Sequence, residues 1–225
     1  GNPAQYQLRK RLAKKIIGTT MQLPVIPHRE GYRLFRPEEI PGTSHVVSYC
    51  RQIYEESRRE FSLEILQKHP TKRFLLSILE GVEFCWHPKL IQFMVSRPIL
   101  DAATVYLGAV PRLASARLCW SPHNETAQSS QLFHFDFEDL TQLKVFINIF
   151  ETKEDQGPLT FLPAHVSDQV QRSIGSILGR VRDERIYEAG GKGRELKLVG
   201  PSGSGAFLDT SRCLHYGSRF NQKIA

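Results

Sequence analysis

Six short strand-like runs, separated by turn residues, fill the chain from about residue 103 onwards. They are rich in β-branched and aromatic residues and comprise Arg112–Trp120, Gln131–Glu138, Leu143–Phe150, Leu159–Leu162, Glu195–Val199 and Gly205–Asp209. Short strands that follow one another with few helices between them favour an antiparallel barrel or sandwich over a parallel nucleotide-binding sheet. The glycine-rich stretch 190–205 agrees, because its Lys192 does not stand in the G-K-[ST] order of a phosphate-binding loop.

Helical patterns dominate the preceding part of the chain. The predicted helices are Leu8–Ile16 with a stop at Gly18, one that begins at Thr43 or Ser44, and short ones at Arg73–Leu79 and Pro88–Val95. One more amphipathic helix, Gln169–Val181, interrupts the strands. We therefore expect a single domain over residues 1–225 of α+β, mainly β, class. Its mainly helical part, 1–102, would pack on a barrel core, 103–225.

The positive charge of the chain is concentrated in its N-terminal third. The formal net charge is +7, and residues 1–73 hold 14 Lys or Arg against 7 Asp or Glu. The run Arg9-Lys10-Arg11 is best interpreted as a solvated helix face, because no zinc finger, aromatic platform or DNA-reading motif accompanies it. Nucleic acid is therefore an unlikely partner.

Cysteine spacing and hydropathy favour a cytoplasmic protein. The four cysteines, Cys50, Cys85, Cys119 and Cys213, form no C-x-x-C pair, which argues against a zinc knuckle or a thioredoxin-like motif. No apolar run approaches the roughly 18 residues that a transmembrane helix needs, and no signal-peptide core is visible. We expect reduced thiols and no transmembrane segment.

The strongest chemical signal is the alternating run Phe133-His134-Phe135-Asp136-Phe137-Glu138. In a strand the three phenylalanines would share one face, and His134, Asp136 and Glu138 the other. A buried imidazole and carboxylate are costly unless a cation or hydrogen bonds compensate them. If this face points into a barrel, His134 and Asp136 are candidate metal ligands.

A second histidine, His215, follows the last strand-like run and completes a possible metal-binding triad. Two histidines and one carboxylate form the facial triad of non-haem iron oxygenases, which leaves coordination positions open for a co-substrate and O₂. Two further runs, His28-Arg29-Glu30 and His123-Asn124-Glu125, have similar spacing but lie in proline-containing connectors. We expect neither to bind a metal.

Four segments in order resemble the phytanoyl-CoA dioxygenase-like family of Fe(II)/2-oxoglutarate-dependent oxygenases. They are His134-Phe-Asp136, Leu143–Asn148, Gly157–His165 and Gly205–Ser218, and the resemblance covers roughly residues 115 to 220. It implies a double-stranded β-helix, the cupin-type jelly-roll barrel. It also implies Fe(II) held by His134, Asp136 and His215, which would serve as both metal ligands and catalytic residues, with 2-oxoglutarate as co-substrate.

By the same resemblance the reaction is hydroxylation of an unactivated C–H bond with O₂, and succinate and CO₂ are co-products. The substrate would be a small molecule or an acyl-type compound. Asp136 favours hydroxylation over halogenation, because related halogenases replace this carboxylate with a small residue. Substrate selection would come from the N-terminal helices, the Gln169–Val181 helix and the loop Tyr187–Lys197.

The cation for the distal carboxylate of 2-oxoglutarate departs from the family pattern. In the family an arginine usually provides it from the last strand, beyond the second histidine, whereas this chain reaches only Ala225. Lys144 and Arg219 are the available candidates. Asn148 alternates with Lys144 along the strand and could hydrogen-bond the substrate or the co-substrate, or form hydrogen bonds within the core instead.

Two other functions are compatible with the same residues. A cupin-like zinc or manganese hydrolase or isomerase could use the same three ligands. Alternatively, the barrel could be a non-catalytic binding module whose basic helical region engages a partner.

Overall fold

The computed structural model describes residues 3–17, 25–58, 74–139 and 141–219. Its helices are α1 (Pro3–Ile17), α2 (Thr43–Arg58), α3 (Pro88–Met94), α4 (Arg97–Leu107), α5 (Ala164–Ile174) and α6 (Asp183–Ile186). Its strands are β1 (Tyr32–Phe35), β2 (Leu76–Glu80), β3 (Arg117–Trp120), β4 (Lys144–Ile147), β5 (Thr160–Phe161), β6 (Leu196–Lys197), β7 (Gly205–Leu208) and β8 (His215–Tyr216). Across these ranges no helix has the length and apolarity to cross a membrane.

The helices of the N-terminal part agree with the sequence patterns in three cases out of four. Helices α1, α2 and α3 lie where they were predicted, and α2 buries Val47, Cys50 and Ile53 at helical spacing. The predicted stop Gly18 lies outside the described residues. The predicted helix Arg73–Leu79 is wrong, because its described residues from Leu76 onwards form β2.

Two elements of the N-terminal part, β1 and α4, were not predicted. Strand β1 pairs antiparallel with β7, so the N-terminal part contributes a strand to the sheet that also contains β4. Helix α4 spans the expected boundary between the helical part and the strand-rich part. It ends at Gly108, whose φ of 65° lies in the left-handed region that glycine adopts readily.

The strands form three small antiparallel sheets. Their orders are β1-β7-β4, β2-β3 and β6-β5-β8, and the described strands form no closed barrel. The mixture of helix and antiparallel sheet is confirmed. The expectation of a mainly β chain is wrong for the described residues, because more of them lie in helices than in strands.

Two predicted elements have different bounds in the structure. The inserted helix α5 begins at Ala164 and ends at Ile174, several residues earlier than predicted. Gly175, with φ of 84°, ends it although apolar residues at helical spacing continue to Val181. The predicted strand Gln131–Glu138 is reduced to isolated bridges at Phe133 and His134.

Apolar clusters surround the segment that carries His134. One cluster packs Phe133, Phe135, Leu214 and Tyr216 with residues of α5 and α6. The ring of Phe133 meets that of Tyr216 edge-on, with centroids 4.7 Å apart, an arrangement that aromatic quadrupoles favour. The backbone on either side of His134 and His215 is thereby anchored in the core.

Candidate metal centre

A single antiparallel bridge places His134 next to His215. The amide of each histidine donates to the carbonyl of the other, with N···O distances of 3.0 and 3.1 Å. On the opposite edge of the same segment, Phe133 and Val181 exchange two backbone hydrogen bonds in the same way. His134 and His215 are buried, and their ring centroids lie 4.3 Å apart.

Asp136 reaches the same place from irregular backbone. Its amide donates to the carbonyl of Thr210 over 2.9 Å, which ties it to the loop between β7 and β8. The side chain of Gln142 donates to the hydroxyl of Thr210 and to the carbonyl of Asp136. The expected alternation stops here, since Phe133 and Phe135 are buried while Phe137 is 62% exposed.

The three side chains converge with their metal-binding atoms together. The Nε2 atoms of His134 and His215 lie 3.7 and 3.4 Å from the carboxylate oxygens of Asp136, and one ligand atom from each of the three residues lies within 4.8 Å of the others. Each Nδ1 atom faces a backbone carbonyl, Leu132 at 2.8 Å and Cys213 at 3.0 Å. A carbonyl partner at Nδ1 keeps the proton there and leaves Nε2 free to bind a metal.

The protonation states also suit a metal. Burial lowers the pKa of His134 to about 4, and the positive charges of His215 and Arg180 act in the same direction. Burial alone would raise the pKa of Asp136, but its contacts with His215 and Lys144 outweigh burial and hold that pKa well below its usual range. At neutral pH His134 is therefore a neutral imidazole and Asp136 a carboxylate, the forms that coordinate metals.

Lys144 occupies the edge of this centre. Its Nζ atom lies 2.7 Å from Asp136 and 3.3 Å from the more exposed carboxylate of Glu138. Lys144 is the first residue of β4 and pairs in register with Leu208 of β7. The structure thus brings Lys144 to the candidate metal ligands, where its partner is the carboxylate of Asp136.

Arg219 and Asn148 have other partners. Arg219 forms a two-point ion pair with Asp183, with N···O distances of 3.0 and 2.7 Å. Its guanidinium also lies 3.4 Å from the centroid of the Tyr216 ring. The amide of Asn148 donates to the carbonyl of Leu198 over 3.2 Å. These contacts give both side chains a structural role, and no described contact joins either of them to the triad.

The loop between β7 and β8 contacts Asp136 through Thr210 and leads directly into His215, and Asp209 anchors this loop. The carboxylate of Asp209, 1% exposed, accepts a hydrogen bond of 2.7 Å from the hydroxyl of Tyr106 in α4. Its other oxygen accepts from the amide and hydroxyl of Ser211. The backbone carbonyl of Asp209 accepts from the amides of Arg212 and Cys213. Helix α4 thus positions this loop through Tyr106. Within the loop Thr210 accepts a hydrogen bond from the amide of Asp136, and the loop ends at His215.

Replacing Tyr106 with phenylalanine tests this link. The substitution leaves a buried carboxylate without one of its donors, so the free energy of unfolding should fall by about 1.5–3 kcal/mol. Metal affinity should fall as well, because the loop of Thr210 loses an anchor. Urea denaturation and calorimetric titration with Co(II) measure the two effects. Tyr6→Phe, at an exposed tyrosine of α1, should change neither, and an unchanged Tyr106→Phe protein would refute the link.

Sequence reasoning missed Tyr106, Asp209 and Arg180. Tyr106 and Asp209 lie 103 residues apart in the chain, and no local pattern signals their contact. The position of Arg180 near the site depends on the bridge between Phe133 and Val181, which places Arg180 opposite His134. The sequence placed Arg180 within the predicted helix Gln169–Val181, whereas the helix of the structure ends at Ile174.

The two excluded histidine runs do not join the centre. The ring of His28 stacks on that of Tyr106, with centroids 4.4 Å apart. In the described ranges the triad is the only group of three or more His, Cys, Asp or Glu side chains with converging ligand atoms. Two imidazoles and one carboxylate suit Fe(II), Zn(II) or Mn(II), so the donor set fits a divalent transition metal without selecting one.

Comparisons with known proteins add nothing to this geometry. The chain matches no protein-family model, and no curated protein matches it. The arguments for function therefore depend on the arrangement of the chain's own residues.

Proposed function

We propose that this chain is an Fe(II)- and 2-oxoglutarate-dependent dioxygenase that hydroxylates an unactivated C–H bond of a small-molecule or acyl-type substrate. The observation that carries the proposal is the convergence of His134, Asp136 and His215, with both Nδ1 atoms held by backbone carbonyls. Three protein ligands on one side of an iron ion leave positions for 2-oxoglutarate and O₂, which supply the oxidising chemistry and yield succinate and CO₂.

We further propose that sheets β1-β7-β4 and β6-β5-β8 are the two halves of a double-stranded β-helix. One apolar cluster supports this, because it joins Leu208 of β7 to Phe161 of β5, with Tyr32 and Phe146 packed against it. His215 of β8 and Lys144 of β4 then belong to opposite sheets that meet at Asp136. The chain itself would orient the ligands and exclude water, which strengthens electrostatic interactions at such a site.

Among the proposed co-substrate residues, the geometry favours Lys144 for the distal carboxylate of 2-oxoglutarate. It is already at the ligand cluster, is partly exposed, and has a flexible stem that can turn from Asp136 to an incoming anion. Arg219 would have to break a two-point ion pair with Asp183 first. We propose that Asn148 stabilises the loop before β7, because its backbone also forms hydrogen bonds with the backbone of Gly203 and Ser204.

Lys144→Met should separate metal binding from co-substrate binding. Removing a positive charge beside Asp136 should leave the affinity for Co(II) unchanged or higher, since the lysine repels the ion. The affinity for 2-oxoglutarate should fall by at least about tenfold, because a charged hydrogen bond is lost. Calorimetric titration of each ligand measures both. The matched control is Lys197→Met, a strand lysine that pairs with Glu154 at 2.8 Å and should change neither. Unchanged 2-oxoglutarate binding in Lys144→Met would remove Lys144 from the co-substrate site.

Turnover tests the reaction itself. Fe(II)-loaded protein in air should convert 2-oxoglutarate to succinate, faster when a pool of small-molecule or fatty-acyl candidates contains a substrate. Asp136→Ala protein treated identically should form none. Absence of succinate from iron-loaded wild-type protein would contradict the proposal.

One observation favours a zinc or manganese hydrolase or isomerase as the second candidate. Both cations proposed for 2-oxoglutarate already pair with carboxylates, Lys144 with Asp136 and Arg219 with Asp183. A hydrolase needs the same open metal site without a cation for a dicarboxylic co-substrate. Activity on ester or amide substrates with Zn(II) or Mn(II), in the absence of 2-oxoglutarate, would identify it.

We also propose a cytoplasmic location. Cys50 and Cys213 are buried thiols, and burial raises the pKa of Cys50 to about 11. Buried thiols that form no disulfide are typical of proteins from a reducing compartment.

A further inference from the structure

Arg180 lies next to the candidate metal centre but has no assigned role. The antiparallel bridge between Phe133 and Val181, with N···O distances of 3.1 and 2.8 Å, brings the chain at Arg180 opposite His134. Opposite residues of an antiparallel pair point to the same face. Phe133 and Val181 both face the apolar cluster, so Arg180 and His134 both face away from it, and the charge of Arg180 acts on His134.

The guanidinium of Arg180 is available for a ligand. Arg180 is exposed, and in the parts of the chain that the structure describes it takes part in no hydrogen bond or ion pair. The other cations near the centre differ, since Lys144 pairs with Asp136 and Arg219 with Asp183. Arg180 also lines an open surface recess together with Arg182 and Glu184.

We propose that Arg180 binds an oxyanion, a carboxylate or a phosphate, of the molecule that reaches the metal centre. A guanidinium suits this ligand because its N–H groups can donate two parallel hydrogen bonds to one oxyanion. This inference rests on the proposed metal site and adds the substrate class to it. The oxyanion could come from the substrate or from 2-oxoglutarate. The substrate is favoured, because Arg180 is exposed and lies opposite His134, whereas Lys144 of β4 already lies beside Asp136.

The experiment titrates the full chain, metal-free and Co(II)-loaded, with inorganic phosphate and separately with 2-oxoglutarate. In Arg180→Gln the dissociation constant for phosphate should rise by at least about tenfold in both forms. The affinity of the Co(II) form for 2-oxoglutarate should stay unchanged. The substitution removes no described contact, so the variant should fold normally, and its circular dichroism should match that of the wild type.

Arg172→Gln is the matched control, because Arg172 is an exposed arginine of α5 and loses the same charge. It should bind phosphate as the wild type does. Equal losses in Arg172→Gln and Arg180→Gln, or no loss in Arg180→Gln, would overturn the inference. If Arg180→Gln lost affinity for 2-oxoglutarate alone, the substrate assignment would be overturned, and Arg180 would be a co-substrate-binding residue. Wild-type protein that binds phosphate through Arg180 but no Co(II) would refute the metal site and leave the oxyanion site standing.

Discussion

Asp136→Ala should lower the affinity for Co(II), a spectroscopic substitute for Fe(II), by at least about a hundredfold, the upper range seen when groups that merely support metal ligands are removed. Asp136 supplies the only negative charge among the three ligands. Its removal also leaves Lys144, 2.7 Å away in the native chain, without its closest counter-ion. The remaining site would combine two neutral imidazoles with a nearby cation, which disfavours a divalent ion. Calorimetric titration and the visible d–d spectrum of Co(II) measure the effect.

Glu138→Ala provides the control for this prediction. Glu138 is a carboxylate two residues along the chain and contacts the same lysine, but 66% of its side chain is exposed. Its removal should change metal affinity only slightly, because a surface ion pair contributes little. Equal effects of the two substitutions would show that general negative charge, and not coordination by Asp136, attracts the metal.

Gly205→Ala should destabilise the fold by about 3 kcal/mol, the upper range for overpacking in a closely packed core. Gly205 begins β7 between β1 and β4, opposite Phe35 and Ile147. An added Cβ would lie 2.5 Å from the carbonyl oxygen of Phe146 and closer still to the ring of Phe35. The oxygen belongs to a paired strand backbone, so it cannot move away without breaking the β4–β7 ladder. Urea denaturation followed by circular dichroism measures the change in the free energy of unfolding.

Gly179→Ala is the corresponding control. A Cβ at Gly179 would meet nothing within 4 Å, so its stability should equal that of the wild type or exceed it slightly through reduced freedom of the unfolded chain. If Gly205→Ala is as stable as Gly179→Ala, strand β7 does not lie between β1 and β4 as described.

The three candidate metal ligands could be picked out from the sequence, because each lies in or beside a strand-like run of distinctive pattern. His134 and Asp136 are two residues apart in one segment, and His215 follows the apolar run that forms β7. The strand that was expected to carry the first two is nevertheless largely absent. The strand does not continue because the amide of Asp136 donates a hydrogen bond to Thr210 of the β7–β8 loop. The chain then turns outward, and Phe137 is exposed.

Long-range contacts account for what could not be predicted. Strand β1 is defined by its pairing with β7, more than 160 residues away, and Tyr32–Phe35 alone carries a weak alternation. The contact between Tyr106 and Asp209 and the register that brings Arg180 opposite His134 are set by tertiary packing. The end of α5 illustrates a local failure, because a glycine with positive φ ends the helix although apolar residues at helical spacing continue beyond it.

The most direct test of the central claim is anaerobic addition of Fe(II) and then 2-oxoglutarate to the purified chain, with visible absorption as the readout. Chelation of the iron by the keto acid produces a weak charge-transfer band that neither component gives alone. We expect this band in the wild-type protein and its loss in His134→Ala, which removes one of the two imidazole ligands. A wild-type protein that binds Fe(II) but develops no band with 2-oxoglutarate would contradict the proposed function.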